Sequence, residues 1–323
     1  MKTMTRALGV DTSNYATSLA VVSIDGKGVV CAKKRFLPVE EGKLGLRQSD
    51  AVFHHTAALP QLLGELQEEG ALEGVGAVAV SQKPCPADES YMPCFLPGVS
   101  FASAFSAAKG VPLICTTHQQ GHLAAALFGT GDSSLLRGRS LVFHFSGGTS
   151  ELLLTEGYEI LQVLGNSLDL YAGQAVDRLG VKLGFSFPAG EELSALASGC
   201  DEDIAPKVSV KGTNCHFSGL QNQCEQLLER QKSPAYVAKY CLTAIAKTAV
   251  CMASAAREQH QGLPLVCAGG VMASGVIREY MQGKMEKVYF VPPQLSSDNA
   301  VGVALIAAKE AGYGEYHFGF GAE

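Results

Sequence analysis

The chain has 323 residues, 47% hydrophobic and 17% charged, apolar material enough for two packed cores, which excludes a disordered or fibrous protein. A formal charge of −6 excludes unassisted tight binding of nucleic acid by a basic surface, because phosphate affinity scales with Lys and Arg. With no apolar run of about 18 residues and no signal-peptide pattern, the chain reads as cytoplasmic with no membrane role, and its ten cysteines, lacking a C-x-x-C pair, read as reduced and mostly buried.

Residues 7–10, 18–24 and 29–35 read as three strands, with a small polar turn from Asp11 to Thr17 and an Asp25-Gly26 turn between them. Residues 49–70 have helical spacing, 75–80 form a buried strand, 100–109 an Ala-rich helix and 111–115 a short strand. Thr117 then caps a helix over 118–128. The polar, Gly-rich stretch 129–139 marks a division into 1–132, which carries the two-histidine helix, and 133–323. Strands at 141–145, 150–155 and 160–164 repeat the opening grammar, and Thr-Ser starts the second strand of both copies, as Thr17-Ser18 and Thr149-Ser150. This indicates an internal duplication. Helices follow at 172–183, 191–197 and 233–259, then a strand at 263–267, a Gly269-Gly270 turn, a helix at 273–281, a strand at 288–291 and a closing helix at 297–311. The pattern is α/β, two lobes with mixed sheets and ligands at strand ends.

His118 and His122, at i and i+4, lie on one face of a helix about one turn apart, where they either share a divalent metal or form a packed surface pair. A zincin-type protease needs Glu after the first histidine, and Gln119 stands there. Gly147-Gly148 and Gly269-Gly270 each end a strand, where bare backbone N–H groups either approach phosphate or allow strand and helix to pack closely. There is no P-loop. Asp298 stands at the start of the closing helix as a possible N-cap, and Asp169 and Asp177 either contact ribose or cap a helix. Lys33-Lys34-Arg35 and Arg137 with Arg139 read as solvated surface.

The ordered series Gly9-Val10-Asp11-Thr12-Ser13, His118-x-x-x-His122, Ser146-Gly147-Gly148-Thr149, Ala172-Gly173-Gln174-Ala175-Val176-Asp177, Pro188-Ala189-Gly190, Phe217-Ser218-Gly219-Leu220, Ala268-Gly269-Gly270-Val271 and Ser297-Asp298-Asn299 resembles the TsaD family across nearly the whole chain. The resemblance implies an actin-like ATPase (ASKHA, ribonuclease H-like) fold of two duplicated lobes. It also implies an acyltransferase that moves threonylcarbamoyl from threonylcarbamoyl-AMP to N6 of adenosine 37, beside the anticodon, in tRNAs reading ANN codons. By the family pattern His118, His122 and Asp298 hold one divalent transition metal, iron or zinc. His144 stands where archaeal-type members have a ligating Tyr, and an imidazole is the better transition-metal ligand. The implied contacts to a threonylcarbamoyl-AMP or ATP-type nucleotide are His144, Phe145, Ser146, Gly147, Gly148, Asp177, Gly190, Ser194, Gly269, Gly270 and Ser274, with Asp11 and Ser13 in a phosphate loop. Implied partners are tRNA, a small paralogous actin-like protein and an accessory ATPase.

The chain departs from the family pattern at several positions. Tyr15 and Ala16 replace an acidic pair, Thr149 replaces His or Asn, and Ser274 replaces a nucleotide-contacting Asn. Lys83-Pro84-Cys85-Pro86 through Gly98 replaces a Gly-Pro-Gly-Leu stretch, and Glu89 to Cys94 has no counterpart. Two alternatives stay open: a non-catalytic paralogue or scaffold of the same machinery, and a metal- and nucleotide-dependent carbamoyltransferase or ATPase with another acceptor.

Overall fold

The structure is a computed structural model that describes residues 5–13, 15–24, 28–38, 46–87, 89–292, 295 and 300–311. It divides into two compact units, Met1–Arg137 with Ser297–Glu323, and Gly138–Ser296.

The first unit is built on a five-stranded sheet of order β3-β2-β1-β4-β5. Its strands are β1 (Arg6–Thr12), β2 (Ala16–Ser23), β3 (Val29–Phe36), β4 (Val75–Ser81) and β5 (Leu113–Thr116). The first three run antiparallel in sequence, then β1 pairs β4 and β4 pairs β5 in parallel. Parallel pairing needs a crossover element. Here α1 (Gln48–Glu68) connects β3 to β4, and α2 (Leu96–Lys109) connects β4 to β5. One face of this sheet packs Leu8, Val10, Leu19, Val21, Val78 and Val80 against Leu59, Leu62 and Leu66 of α1, all buried. After β5 comes α3 (His118–Gly129).

The second unit repeats the plan. Its sheet order is β12-β11-β6-β7-β8, from β6 (Arg139–Phe145), β7 (Ser150–Glu156), β8 (Glu159–Asn166), β11 (Leu265–Ala268) and β12 (Val288–Phe290). β6, β7 and β8 form an antiparallel meander, and β6 pairs β11 and β11 pairs β12 in parallel. The expected duplication is therefore present strand for strand. Helices α4 (Ala172–Lys182), α5 (Gly190–Ser198), α6 (Ser218–Glu229), α7 (Pro234–Gln259) and α8 (Gly275–Gln282) surround a core in which Phe143, Phe145 and Leu152 meet Phe217, Leu242, Ile245 and Met252. A two-stranded ribbon of β9 (Ser209–Lys211) and β10 (Asn214–His216), together with α6, has no counterpart in the sequence reading.

Two expectations need correction. The division falls after Arg137 rather than at 132, and the closing helix, α9 (Val301–Glu310), belongs with the first unit, not the second. Residues 301–308 of α9 are all buried, and the helix lies against β1 and α3. A helix apolar on every side carries no mark of which sheet will bury it. The stretch read as one helix over 273–281 is a 3-10 turn, Gly270–Ala273, followed by α8, because Ser274 is extended.

Asp169 resolves as a cap. Its carboxylate accepts from the N–H groups of Leu170, Phe217 and Ser218 and from the Ser218 hydroxyl, so it ties the first turn of α6 to the segment before α4. Burial pushes this carboxyl up, but the hydroxyl and the three N–H groups together outweigh burial and hold it at about 2. A carboxyl depressed on folding contributes stability above its unfolded pKa and loses it as pH falls toward the folded value. Because Asp169 is largely solvent-exposed, its bonds are screened, and Asp169→Asn is expected to destabilise the protein by about 1 kcal/mol at neutral pH. The gap to wild type should close between about pH 4 and pH 2, read as the difference in melting temperature across a pH series. A gap that persists unchanged at pH 2 contradicts the assignment.

Candidate active site

In the first unit β1 delivers Asp11 and α3 delivers the two histidines. The helix starts where it does because Thr117 Oγ1 accepts from Gln120 N–H at 3.2 Å, while Gln120 Oε1 accepts from Thr117 N–H at 3.2 Å. The next free N–H groups of the first turn, on His118 and Gln119, go to the carbonyls of Lys83 and Pro84 at 3.0 and 2.9 Å. The departing segment that starts at Lys83 thus anchors the histidine helix.

Asp11 is fully buried and accepts from the Ser81 hydroxyl. Both of its oxygens face His118 Nδ1, at 3.0 and 3.1 Å. A carboxylate only accepts, so the ring proton of His118 sits on Nδ1 and its Nε2 carries the lone pair. That Nε2 lies 3.0 Å from Nε2 of His122, the rings standing edge to face at 4.3 Å. Asp11 therefore acts behind His118 and not in a phosphate loop.

The donor set fits a divalent transition metal. Two imidazole nitrogens on a tetrahedral ion, each at about 2.0–2.1 Å, are about 3.3 Å apart, close to the spacing found here. A carboxylate on the far ring nitrogen is the usual support of a ligating histidine. Among the described residues no third His, Cys, Asp or Glu completes a metal cluster. Asp298, assigned as a ligand from the sequence, lies outside the described residues.

The β1–β2 turn has a support that sequence reasoning missed. His55, fully buried on α1, receives the Thr17 hydroxyl on Nδ1 at 2.7 Å and donates from Nε2 to the Ser13 carbonyl at 2.9 Å. Burial holds this imidazole below its ordinary pKa, which keeps it neutral in that role. Only its place on the inward stripe of α1, with Ala51, Ala58 and Leu62, marked it in the sequence. Thr12 Oγ1, on the same turn, is buried with no hydrogen-bond partner among the described residues.

The second unit gathers the sequence-assigned nucleotide residues at the carboxyl ends of two adjacent parallel strands, the place where open α/β sheets bind ligands. His144 pairs with Ala268 across β6 and β11, so Phe145-Ser146-Gly147-Gly148 and Gly269-Gly270 leave the sheet side by side. Ser146 N–H donates to the Thr149 carbonyl at 2.8 Å and Gly148 N–H to Ser146 Oγ at 3.3 Å, closing a tight turn. The glycines divide into two kinds. A Cβ on Gly269, at φ +95°, would fall 2.2 Å from the Phe145 carbonyl oxygen, and one on Gly173 would fall 2.5 Å from the Ser146 backbone, so both exist for packing. Gly147, Gly148 and Gly270 are exposed with open space where a Cβ would be, so their backbone is bare to a ligand. Ser194 and Ser274 meet Oγ to Oγ at 2.9 Å. Asp177 Oδ1 accepts from Ala189 N–H at 2.9 Å, which fixes the turn leading to Gly190 at the start of α5.

The family model for TsaD, tRNA N6-adenosine threonylcarbamoyltransferase, matches residues 43–305. A curated relative of that name from Thermus thermophilus is 32% identical over 311 residues, covering 93% of this chain and 91% of its own. One from Pyrobaculum calidifontis is 30% identical, covering 98% and 89%. Among solved structures, full-length HypF in a phosphate- and nucleotide-bound form superposes with a TM-score of 0.61 at 12% identity over 98% of this chain and 57% of that one. Component A of the (R)-2-hydroxyglutaryl-CoA dehydratase of Acidaminococcus fermentans superposes at 0.57 and 15% identity, over 95% and 99%. These distant likenesses concern the fold, the actin-like ATPase fold with its two duplicated mixed sheets. With the family model and relatives at about 30% identity over nearly the full length, the chain belongs to the TsaD family and is a transferase.

Proposed function

We propose that this protein transfers the threonylcarbamoyl group of threonylcarbamoyl-AMP to N6 of adenosine 37 in tRNAs reading ANN codons, in the cytoplasm. The observation that carries the reading is the Asp11–His118–His122 arrangement, a buried carboxylate holding one of two facing imidazoles on a capped helix. His118 and His122 would hold a divalent iron or zinc ion, with Asp298 as the further donor; among the described residues His144, also assigned as a ligand from the sequence, joins no group of three such side chains. When bound, the ion supplies a Lewis acid that polarises the carbonyl of the mixed anhydride.

The other parts of the reaction fall to the chain's own groups. The exposed N–H groups of Gly147 and Gly270, with that of Gly148 once it leaves Ser146 Oγ, receive the adenylate phosphate, where they stabilise the charge that grows on it as it leaves. Ser194 and Ser274 present a hydroxyl pair to the nucleoside, beside Asp177 and Gly190. The adenosine amine attacks the carbamoyl carbon, the new C–N bond forms, the bond to the phosphate oxygen breaks with its electron pair on AMP, and the amine releases one proton. An adenosine stacked in its loop must first be exposed.

Several surface cations are already paired. Lys33, Arg35, Arg139 and Lys182 sit in ion pairs with Glu69, Glu65, Glu156 and Glu225. With a net charge of −6, this supports a role for a small actin-like partner and an accessory ATPase in presenting tRNA. The test is mass spectrometry of tRNA nucleosides after incubation with threonylcarbamoyl-AMP, with and without those partners. Modified adenosine that disappears with His118→Ala is the expected result. No modified nucleoside under any condition defeats the reading, and metal-free protein that still binds its partners favours a scaffold.

A further inference from the structure

The fold uses only part of the Phe217-Ser218-Gly219-Leu220 motif. Phe217 and Leu220 are buried in the second unit's core, and Ser218 is tied to Asp169. Gly219, the second residue of α6, is left over. A glycine weakens a helix relative to alanine, and nothing lies within 4 Å of the Cβ it lacks, so packing does not require it here. Its N–H has no hydrogen-bond partner among the described residues.

Gly219 borders a cleft of about 110 Å³ between α6, α7 and the chain leading into β9. The floor is apolar, since Phe217, Leu220 and Ala244 are all buried. The walls offer donors. The Lys207 ammonium has neither an ion pair nor a hydrogen bond among the described residues. Lys207 N–H donates to the Tyr240 hydroxyl at 3.4 Å, which donates in turn to Gln223 Oε1 at 2.5 Å and leaves the Gln223 NH₂ group for the cleft. His216 stands on the same wall with Nδ1 3.5 Å from Asp169, whose carboxylate already accepts three N–H groups and the Ser218 hydroxyl. Among the described residues no Asp or Glu lines the cleft, although the chain carries a net charge of −6. The frame is also held in place: Lys239 and Lys247 of α7 donate to the carbonyls of Cys200 and Pro206 at 2.6 and 2.9 Å, strapping the approach to β9 across that helix.

We propose that this cleft binds a small monocarboxylate, with its carboxylate on the Lys207 ammonium and the Gly219 N–H and its short apolar chain on Phe217, Leu220 and Ala244. An ammonium and a first-turn helix N–H both favour an anion. A cavity of about 150 Å³ takes benzene, so the volume suits a chain of about three or four carbons. Inorganic phosphate would satisfy the donors but leave the apolar floor to water, and a neutral alcohol would leave the ammonium unmet. The cleft lies within the second unit and shares no lining residue with the Gly147, Gly148 and Gly270 turns, so it stands apart from the transfer reaction.

The experiment titrates full-length wild type, Lys207→Met and Gly219→Leu with butyrate, inorganic phosphate and n-butanol, by calorimetry and by methyl NMR of Ala244 and Leu220. Both substituted positions are exposed. Butyrate is expected to bind wild type one-to-one in the millimolar range and to shift the Ala244 and Leu220 methyl signals, with phosphate and butanol at least about 10-fold weaker. Lys207→Met should weaken butyrate by about 10-fold or more, the loss of a charge-assisted hydrogen bond. Gly219→Leu should abolish binding while its melting temperature holds or rises, because leucine favours a helix and meets open space. Should Gly219→Leu melt lower, Lys207→Met decides alone. Butyrate that fails to saturate, that leaves both methyl signals unmoved, or that binds Lys207→Met as tightly as wild type overturns the proposal. Phosphate or butanol binding as tightly as butyrate at the same methyl groups overturns the assignment to a monocarboxylate.

Discussion

Asp11→Asn is expected to reduce transfer by about 10²- to 10⁴-fold and metal affinity by about 10- to 100-fold, with the fold intact. The reason lies in which atom each partner can offer. Ser81 donates to Asp11 Oδ1, so an asparagine in the same pocket keeps its oxygen toward Ser81 and puts its amide nitrogen where Oδ2 now lies, 3.1 Å from His118 Nδ1. An amide N–H there donates, so Nδ1 must accept and the ring proton moves to Nε2. His118 then turns a proton instead of a lone pair toward the position it shares with His122. Elemental analysis, a nucleoside assay and a melting curve on the same preparation check the prediction. Full metal occupancy with full activity would show that the carboxylate does not set the tautomer.

The same residues show what could be read without coordinates. Both β-hairpins and the cap at Thr117 follow from short-range rules, alternation, turn residues and a capping side chain, and all appear in the structure. The histidine pair was legible because i and i+4 share a helix face. What backs it was not. Asp11 is 107 residues from His118, and the His55 bonds to Thr17 and Ser13 span 38 and 42 residues, so nothing local in the sequence couples them. The glycine pairs were legible as backbone left bare at strand ends, but not which members pack and which stay open. That depends on the distance from Gly269 to the Phe145 carbonyl, set when β11 docks beside β6. Asp169 shows the limit from the other side. Its position before α4 suggested a cap or a ribose contact there, whereas its partners Phe217 and Ser218 begin a helix nearly fifty residues on, one that the sequence reading had left without an assignment.

The misplaced closing helix carries the second large expected effect. α9 lies against β1, where a Cβ on Gly9 would fall 2.3 Å from the Ala300 carbonyl oxygen, and against α3, where a Cβ on Gly302 would fall 1.8 Å from the Gly121 carbonyl oxygen and 2.7 Å from Ala125 N. Gly9 lies two residues before Asp11 on β1, and Gly121 lies between His118 and His122 on α3. One helix at the end of the chain therefore sets the separation of the strand and the helix whose side chains meet at the site. Gly302→Ala forces backbone from backbone, with no flexible side chain to yield, and is expected to cost about 3 kcal/mol or more, a fall in melting temperature of about 6–12 °C for a unit of this size. In protein that remains folded the loss should extend to metal affinity, since the strain enters at the turn carrying both histidines. Gly64→Ala is the control, because it sits inside α1 with open space around it and should instead stabilise by about 0.5–1 kcal/mol. A Gly302→Ala protein that melts like wild type and binds metal as tightly would place the clamp elsewhere. Loss of both, with the Gly64→Ala melting temperature raised, ties the geometry of the histidine pair to a segment about 180 residues away in sequence.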